Sequence, residues 1–199
     1  PMIFSLLISF ADWDIITPAK WRAAGNYTEL FASDPLFYKS LLVTAIYTIV
    51  SVPLGLFAAL LLALLLNTKV WGMPLFRSLY YVPSLASGVA AALIWRRVFN
   101  PENGLINDVL YSQWFQSIGL WISNVAGTPG KSVDWFGNEK LALPALIIMS
   151  LWGAGGGMVI LLAGLQGIPQ FYYEAATLDG ASVWQRFKTI TIPMLTPTL

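Results

Sequence analysis

Three long runs without a charged residue dominate the pattern of apolar and polar positions, at 40–68, 78–95 and 141–173. A helix rises about 1.5 Å per residue, so about 20 residues cross a hydrocarbon core of about 30 Å. The first run is long enough, the second is short but adequate, and the third is too long for one upright span. The apolar residues before Asp12 are too few for a complete span. The predicted membrane spans are 1–11 (partial), 40–66, 78–98 and 141–166.

Glycine and proline interrupt the second and third runs. Pro83 breaks the first part of the second run. In the third, the sequence WGAGGG at 152–157 places Gly153 and Gly157 four residues apart, which favours tight helix packing. The alternative is a flexible segment beside a solute path. Further on, GLQGIP at 164–169 indicates the end of one helix and the start of another.

The polar segments alternate between the two sides of the membrane. Residues 12–39 and 99–140 must share one side, and 67–77 and 167–197 the other. The first pair of segments, together with Arg96 and Arg97 at its border, contains seven Lys and Arg residues. The second pair contains four: Lys69, Arg77, Arg186 and Lys188. Per residue the two sides are nearly equal, so the positive-inside rule does not orient the chain.

The composition agrees with a membrane protein and excludes several chemistries. Of the 199 residues 57% are hydrophobic and 11% charged, whereas soluble domains carry about 25% charged residues. The absence of Cys and His removes thiol nucleophiles, histidine triads and zinc sites built on these residues. A net charge of +1 gives no electrostatic case for nucleic acid, and we predict no metal site.

The C-terminal segment predicts two helices joined by a sharp turn. Pro169 suits a first helical turn, and Asp179-Gly180 is a strong stop signal. Ser182 and Gln185 then form the S-x-x-Q pattern of a capping box. We expect Pro193 and Pro197 to close the segment. Apolar residues recur at helical spacing in both halves: Phe171, Ala175 and Leu178, then Val183, Phe187, Ile190 and Met194.

The sequence YEAATLDGAS at 173–182 places a single acid beside two minimal side chains. Glu174 next to Ala175 and Ala176 suits a protrusion that enters a groove of another protein, because small side chains permit close approach and one charge fixes register. An interfacial amphipathic helix or a loop packed on its own bundle would also explain a helical hairpin here.

The segment 174–197 resembles the EAA loop of the permease subunits of bacterial ABC importers. Asp179 and LAGLQGIP at 162–169 resemble the carbohydrate branch of that family, which includes maltose and glycerol-phosphate permeases. GNYTELF (25–31), LLLN (64–67), PLFRSLYYVPSLAS (74–87) and IWRRVF (94–99) extend the resemblance over nearly the whole chain. The matching motif positions are Glu174, Ala175, Ala176, Gly180, Ala181, Phe187, Ile190 and Pro193.

This resemblance implies an all-α, polytopic transmembrane helix bundle in the cytoplasmic (inner) membrane, with a cytoplasmic helix-turn-helix coupling loop. It implies that 67–77 and 167–197 are cytoplasmic, and 12–39 and 99–140 periplasmic. Glu174 would contact an ATP-binding subunit, and Gly180 would permit the turn. The implied partners are an ATP-binding subunit dimer, a second and different permease subunit, a periplasmic or lipid-anchored solute-binding protein, and a carbohydrate solute.

The chain contains no phosphate-binding G-x-x-x-x-G-K-[ST] loop, so we expect it to be no enzyme and to bind no cofactor, with ATP and Mg on the partner ATPase. The alternatives are an ion-gradient-driven secondary transporter, an ABC permease for a non-sugar solute, or a membrane scaffold. Secondary transporters place ionisable residues in their spans, and the three uncharged runs contain no Asp, Glu, Lys, Arg or His.

Two further expectations concern the solute path and an outer loop. Ser150, Trp152 and Gly155 lie in the third long run and are candidates for a solute path, since aromatic faces suit sugar rings; core packing is the better-supported reading. The stretch LWISNVAGTPGKSV at 120–133 is rich in Gly, Ser and Pro. It departs from the family pattern, and we interpret it as a flexible insertion.

Overall fold

The computed structural model describes residues 1–68, 70–129 and 132–198, and these form a predominantly helical chain. It divides into two compact units, Pro1–Thr48 and Ile49–Leu199, with the boundary inside one long helix. The elements in chain order are α1 (Met2–Ile8), β1 (Ala11–Asp12), β2 (Lys20–Trp21), α2 (Gly25–Ala32), α3 (Pro35–Leu66), α4 (Met73–Tyr81), a 3-10 turn (Val82–Leu85), α5 (Gly88–Val98), α6 (Leu105–Leu110), α7 (Gln116–Ala126), α8 (Ala142–Leu151), α9 (Ala154–Gly167), α10 (Gln170–Leu178), α11 (Val183–Arg186), a π-helical turn (Phe187–Thr191), α12 (Ile192–Leu195) and a second 3-10 turn (Thr196–Thr198).

The first unit contains a small antiparallel strand pair that the sequence pattern does not predict. β1 and β2 pair with Ala11 opposite Trp21, and Asp12 opposite Lys20. Asn26 on α2 holds the chain entering β1, because its Nδ2 donates to the carbonyl oxygens of Ser9, at 3.0 Å, and Ala11, at 2.9 Å. With two residues per strand, the pair leaves the all-α class intact. α1 covers most of the predicted partial span, whose membrane insertion stays a prediction.

One helix of the described residues is by itself long and apolar enough to cross a membrane. α3 has 32 residues, and its most apolar window has a mean hydropathy of 2.7. It begins at Pro35, five residues before the predicted span, and runs through Pro53 without ending. Its sequence is predominantly apolar, and Pro53 and Gly55 do not interrupt the helix.

The second and third predicted spans are each bent pairs of helices. α4 with its 3-10 turn meets α5 at 97°, and α8 meets α9 at 41°. The larger bend follows Pro83, which has no backbone N–H to continue a helix, and Ser87 then caps α5 by accepting from the Ala90 N–H. Each pair of helices, taken together, is long and apolar enough for one membrane span. Membrane crossing by either pair stays a prediction.

The largest core cluster of the second unit joins α3 to α9. Ala59, Ala63 and Leu66 of α3 are buried with Met158, Leu161, Leu162 and Leu165 of α9. A Cβ placed on Gly157 would lie 3.1 Å from the Ala59 Cβ, so small residues on both helices permit close approach. The tight-packing interpretation of the glycine run is therefore confirmed at Gly157.

A second core cluster contains Phe99, Val133, Trp135, Leu141 and Ala145. The prediction of a flexible insertion at 120–133 is wrong at residues 120–126. Residues 120–126 belong to α7, and Val133 is fully buried beside Phe99 and Trp135. Asn107 holds Val133 and Trp135 in place. Its Nδ2 donates to the Val133 carbonyl oxygen at 3.0 Å, and its Oδ1 accepts from Trp135 Nε1 at 3.1 Å. The composition of the stretch does not reveal these hydrogen bonds, because Asn107 lies more than 25 residues before Val133 and Trp135. Residues 130 and 131 of the stretch lie outside the described residues.

Candidate functional site

The predicted helical hairpin is present, and its first turn is a Schellman motif. α10 ends at Leu178, and Gly180 has φ +76°, the left-handed conformation that glycine adopts without strain. The Gly180 N–H donates to the Thr177 carbonyl at 3.1 Å, and the Ala181 N–H to the Ala176 carbonyl at 2.9 Å. These two bonds satisfy carbonyls at the end of α10. Three positions of the motif, Ala176, Gly180 and Ala181, thus build the turn itself.

The predicted capping box begins the second half of the hairpin. Ser182 Oγ accepts from the Gln185 N–H at 3.3 Å, and Gln185 Oε1 accepts from the Ser182 N–H at 2.7 Å. Pro193 does not end the helical segment, because α12 continues to Leu195 and a 3-10 turn over Thr196–Thr198 follows. The π-helical turn before it provides the reason. The Ile192 N–H donates to the Phe187 carbonyl five residues earlier, so the turn is wide and accommodates the Pro193 ring.

Burial in the hairpin differs from the predicted apolar stripes. Leu178 is 90% exposed and Phe171 58% exposed, so the stripe of α10 faces outward. In the second half, Thr191 and Leu195 are buried while Val183 and Met194 are exposed. A wide π turn shifts the buried face by one residue relative to a 3.6-residue period, and the sequence carried no sign of that turn.

The outward surface of the hairpin carries the acid of the motif. Glu174 and Asp179 are exposed, and Glu174 accepts a hydrogen bond from Gln170 Nε2 at 2.9 Å. Arg186 reaches back from α11 and donates to Thr177 Oγ1 at 2.8 Å. A shallow pocket of about 440 Å³ opens between the two helices, lined by Gln170, Tyr173, Glu174, Thr177, Leu178 and Arg186. The hairpin thus offers a recess that is lined by side chains of both charges, Glu174 and Arg186.

The inner side of the hairpin is anchored to the long helices. Phe187 stacks on Trp184, with ring centroids 5.5 Å apart, and both line an apolar pocket of about 630 Å³ beside Leu60 and Leu64 of α3. Ile190 packs against the core cluster of α3 and α9. The motif positions therefore differ in exposure, since Glu174, Ala175 and Asp179 are exposed, whereas Phe187 and Ile190 are partly buried.

Sequence reasoning missed several residues that hold this surface in place. Tyr173 and the buried Thr191 are hydrogen-bonded through their hydroxyls, 2.9 Å apart. Leu195 is fully buried against Gly164 of α9, where an added Cβ would lie 2.9 Å from Leu195 Cδ2. Arg77 donates from Nε and Nη2 to the Leu66 carbonyl, at 3.2 and 2.8 Å, and so caps α3. Of these contacts, only that of Arg77 could have been expected from the sequence, because a basic residue that follows a helix often bonds to its last carbonyls.

The candidates for a solute path are only partly brought together. Trp152 and Gly155 line a pocket of about 410 Å³, whereas the Ser150 hydroxyl donates to its own helix at the Ile147 carbonyl, 2.7 Å away. The other residues of this pocket are Leu62, Leu79, Tyr80, Pro83 and Leu151. Gly155 has a packing role as well, because a Cβ there would clash with the Tyr80 carbonyl oxygen. A solute-path role for the three candidates stays a prediction.

The described residues contain no group of three or more acidic side chains that could hold a metal ion. What the site offers instead is a rigid hairpin with an exposed acid, fixed to apolar helices. That arrangement suits protein–protein contact rather than covalent chemistry.

Helices of this length and apolarity, with an exposed hairpin attached to them, define a membrane-embedded helical subunit. The chain matches the family "Binding-protein-dependent transport system inner membrane component" over residues 30–199, and it belongs to that family. It is an inner-membrane protein.

Similar proteins support the same family. The chain is 40% identical over 200 residues to the probable ABC transporter permease protein YesP of Bacillus subtilis (strain 168), covering 100% of this chain and 60% of that protein. It is 35% identical to the trehalose/maltose transport system permease protein MalF of Thermococcus litoralis, covering 87% and 54%. It is 33% identical to the lactose transport system permease protein LacF of Rhizobium radiobacter, covering 90% and 56%.

A solved structure has the same fold. The crystal structure of a bacterial ABC transporter that imports the acidic polysaccharide alginate superposes with a TM-score of 0.76 at 24% identity, covering 99% of this chain and 62% of that one. The chain spans about 60% of the length of curated relatives that it matches.

Proposed function

We propose that this chain is part of the transmembrane subunit of an ATP-driven importer for a sugar or sugar-like solute. Family membership supports transport. The similarity to a trehalose/maltose permease and to a lactose permease supports a sugar as the solute. The proposed partners are a dimer of ATP-binding subunits, a second permease subunit and a solute-binding protein. The proposal assigns ATP and Mg to the ATP-binding subunits and no catalytic reaction to this chain.

The observation that carries this proposal is the form of the hairpin at 170–198. Its exposed side presents Glu174 at the mouth of a recess, while its inner side is anchored on α3 and α9. A surface that is exposed on one side and rigidly fixed on the other can transmit a displacement, because packed interiors resist compression. We infer that closure of the ATP-binding subunits moves this hairpin and, through it, α9.

In this proposal the motif residues have separate roles. Glu174, Ala175, Ala176 and Asp179 would contact the ATP-binding subunit, and Gly180 and Ala181 would hold the turn. Phe187, Ile190 and Pro193 would connect the turn to the spans. Ser150, Trp152 and Gly155 remain the proposed contacts for the solute, with Trp152 as the aromatic face.

Charge reversal at Glu174 tests the proposal. Glu174→Lys should reduce both co-purification with the ATP-binding subunit and ATP-dependent uptake of solute into vesicles, because a cation replaces the acid of the docking surface. Glu102→Lys reverses an exposed acid far from the hairpin in sequence and serves as the matched control. Unchanged assembly and uptake in Glu174→Lys would refute the docking role. Wild-type uptake that needs an ion gradient and no ATP would refute the ABC mechanism.

A further inference from the structure

Helix α7 has one face that is packed and another that is apolar and exposed. On the packed face Ser123 is fully buried, and a Cβ on Gly119 would lie 3.0 Å from the Leu110 carbonyl carbon of α6. On the opposite side, Trp121 is 66% exposed and Trp114, just before the helix, is 90% exposed. The exposed apolar residues of this side, here called the α7 face, are Trp114, Phe115, Ile118, Trp121 and Val125.

The α7 face has no charged surroundings along the chain. The sequence contains no Asp, Glu, Lys or Arg from Val109 to Gly130. Its polar neighbours are neutral, and Gln116, Ser117 and Asn124 are exposed. A partner protein would find no charge with which to set orientation, which is the usual source of register at protein interfaces. Large indole rings beside neutral amides and hydroxyls are instead typical of the membrane–water boundary.

The position of α7 in the chain places it near that boundary. Only residues 99–104 separate α5 from α6, and residues 127–141 connect α7 to α8. Both α5 and α8 belong to the apolar helix pairs that are long enough to cross a membrane. Packing holds α7 beside α8 across this connection, because Ile122 and Ala126 contact the cluster that contains Leu141 and Ala145, and Asn138 Nδ2 donates to the Ala126 carbonyl at 2.8 Å.

We propose that α7 lies on the lipid surface, with the α7 face inserted among the headgroups and the upper acyl chains. The buried contacts with α6 and with the Phe99–Trp135 cluster prevent α7 from turning this face inward. Lipid contact removes the exposed indole and aliphatic surface from water and leaves the neutral polar residues at the headgroup level. The contact holds the folded segment 99–141 at a fixed height on the membrane, and it does not depend on ATP-driven transport.

Site-directed spin labelling can test this on the full-length protein in vesicles of phosphatidylethanolamine and phosphatidylglycerol. The chain contains no native cysteine, so Ile118→Cys and Asn124→Cys each introduce one site in it. Both positions lie on α7, and Asn124 serves as the matched control on its polar side. Collision rates of the label with oxygen, which enters lipid, and with a water-soluble nickel chelate report depth. We expect the oxygen-to-nickel ratio to be several-fold higher at residue 118 than at residue 124.

Equal ratios at the two positions in vesicles would overturn the proposal. A label at residue 118 that is accessible to nickel in vesicles, and becomes immobilised only after other transporter subunits or a solute-binding protein are added, would also overturn it and would favour a protein partner. Tryptophan quenching provides a second measurement without a label. With lipids brominated just below the headgroup, Trp121→Phe should reduce the quenchable fraction of the fluorescence, and an unchanged fraction would count against lipid contact.

Discussion

The hydroxyl of Tyr173 on α10 lies 2.9 Å from Oγ1 of Thr191, the buried last residue of the π-helical turn. This bond joins the two halves of the hairpin across a separation of 18 residues. It lies behind the exposed surface that carries Glu174, and in front of the core formed by α3 and α9. Together with the Schellman turn, it holds the angle between the two helices of the hairpin.

Tyr173→Phe should destabilise the protein by about 1–3 kcal/mol, because it leaves the buried Thr191 hydroxyl without this partner. The double variant with Thr191→Val removes both polar groups and should recover most of the loss. Thermal unfolding in detergent measures the effect. Tyr172→Phe removes a hydroxyl from the neighbouring exposed residue and is the control. A Tyr173→Phe melting temperature equal to that of the control would show that the bond contributes nothing.

Gly180→Val should strain the hairpin turn, because a side chain at φ +76° costs about 1–2 kcal/mol, and more for a β-branched residue. The added side chain meets no neighbour within 4 Å at the Cβ, so the strain is in the backbone alone. We expect normal membrane insertion, with ATP hydrolysis uncoupled from uptake in the assembled transporter. Gly167→Val, at another glycine with an open Cβ position, controls for the loss of glycine; coupled uptake in both variants would contradict the expectation.

Gly155→Ala should destabilise the contact between α9 and α4 by about 1–3 kcal/mol, the usual cost of overpacking. The new Cβ would lie 2.9 Å from the Tyr80 carbonyl carbon, and backbone cannot move aside as a side chain can. At Gly156 the Cβ would lie 3.7 Å from Ser84 Cβ, an ordinary contact, so Gly156→Ala is the matched control. Thermal unfolding compares the two, and equal stability would mean that α9 shifts freely.

Arg77→Met should destabilise the end of α3 by about 1.5–3 kcal/mol, because two charge-assisted hydrogen bonds to the Leu66 carbonyl are lost. The substitution keeps a long apolar stem, so the loss reports the bonds and the favourable charge at a helix C-terminus. Hydrogen exchange of the amides in the last turn of α3 should accelerate. Lys188→Met, at an exposed position, should leave it unchanged.

The turn at Asp14 should loosen in acid. Hydrogen bonds from the Thr17 backbone N–H and hydroxyl, both at 2.7 Å, lower the pKa of the Asp14 carboxyl. A depressed folded-state pKa stabilises the turn above the ordinary value of 3.8, and this stabilisation is lost as the pH falls through the lowered pKa. Nuclear magnetic resonance of the Thr17 amide should report the transition below pH 3.8. The Asp14→Asn variant should show no such transition.

The length of the uncharged runs and the chemistry of the turn residues were sufficient to predict much of the candidate site. Asp179-Gly180 and the Ser182–Gln185 pair act through neighbours within five residues, so their effect is visible in the sequence. The continuation of the helix through Pro193 is not visible in the sequence, because it depends on the turn before it. The π turn at 187–191 changes which carbonyls are available, and no residue type marks such a turn.

The sequence alone determined that the chain is helical and apolar, where the hairpin turns, and which family it resembles, because these depend on local hydrogen bonding and on total hydrophobicity. Only the tertiary structure decided that residues 120–126 are an ordered helix, that Thr191 and Leu195 rather than Val183 and Met194 are buried, and that Gly155 meets the Tyr80 backbone. Each of these depends on contacts between residues distant in the chain. Such contacts are set by how whole helices pack, and a periodic pattern along one helix does not contain that information.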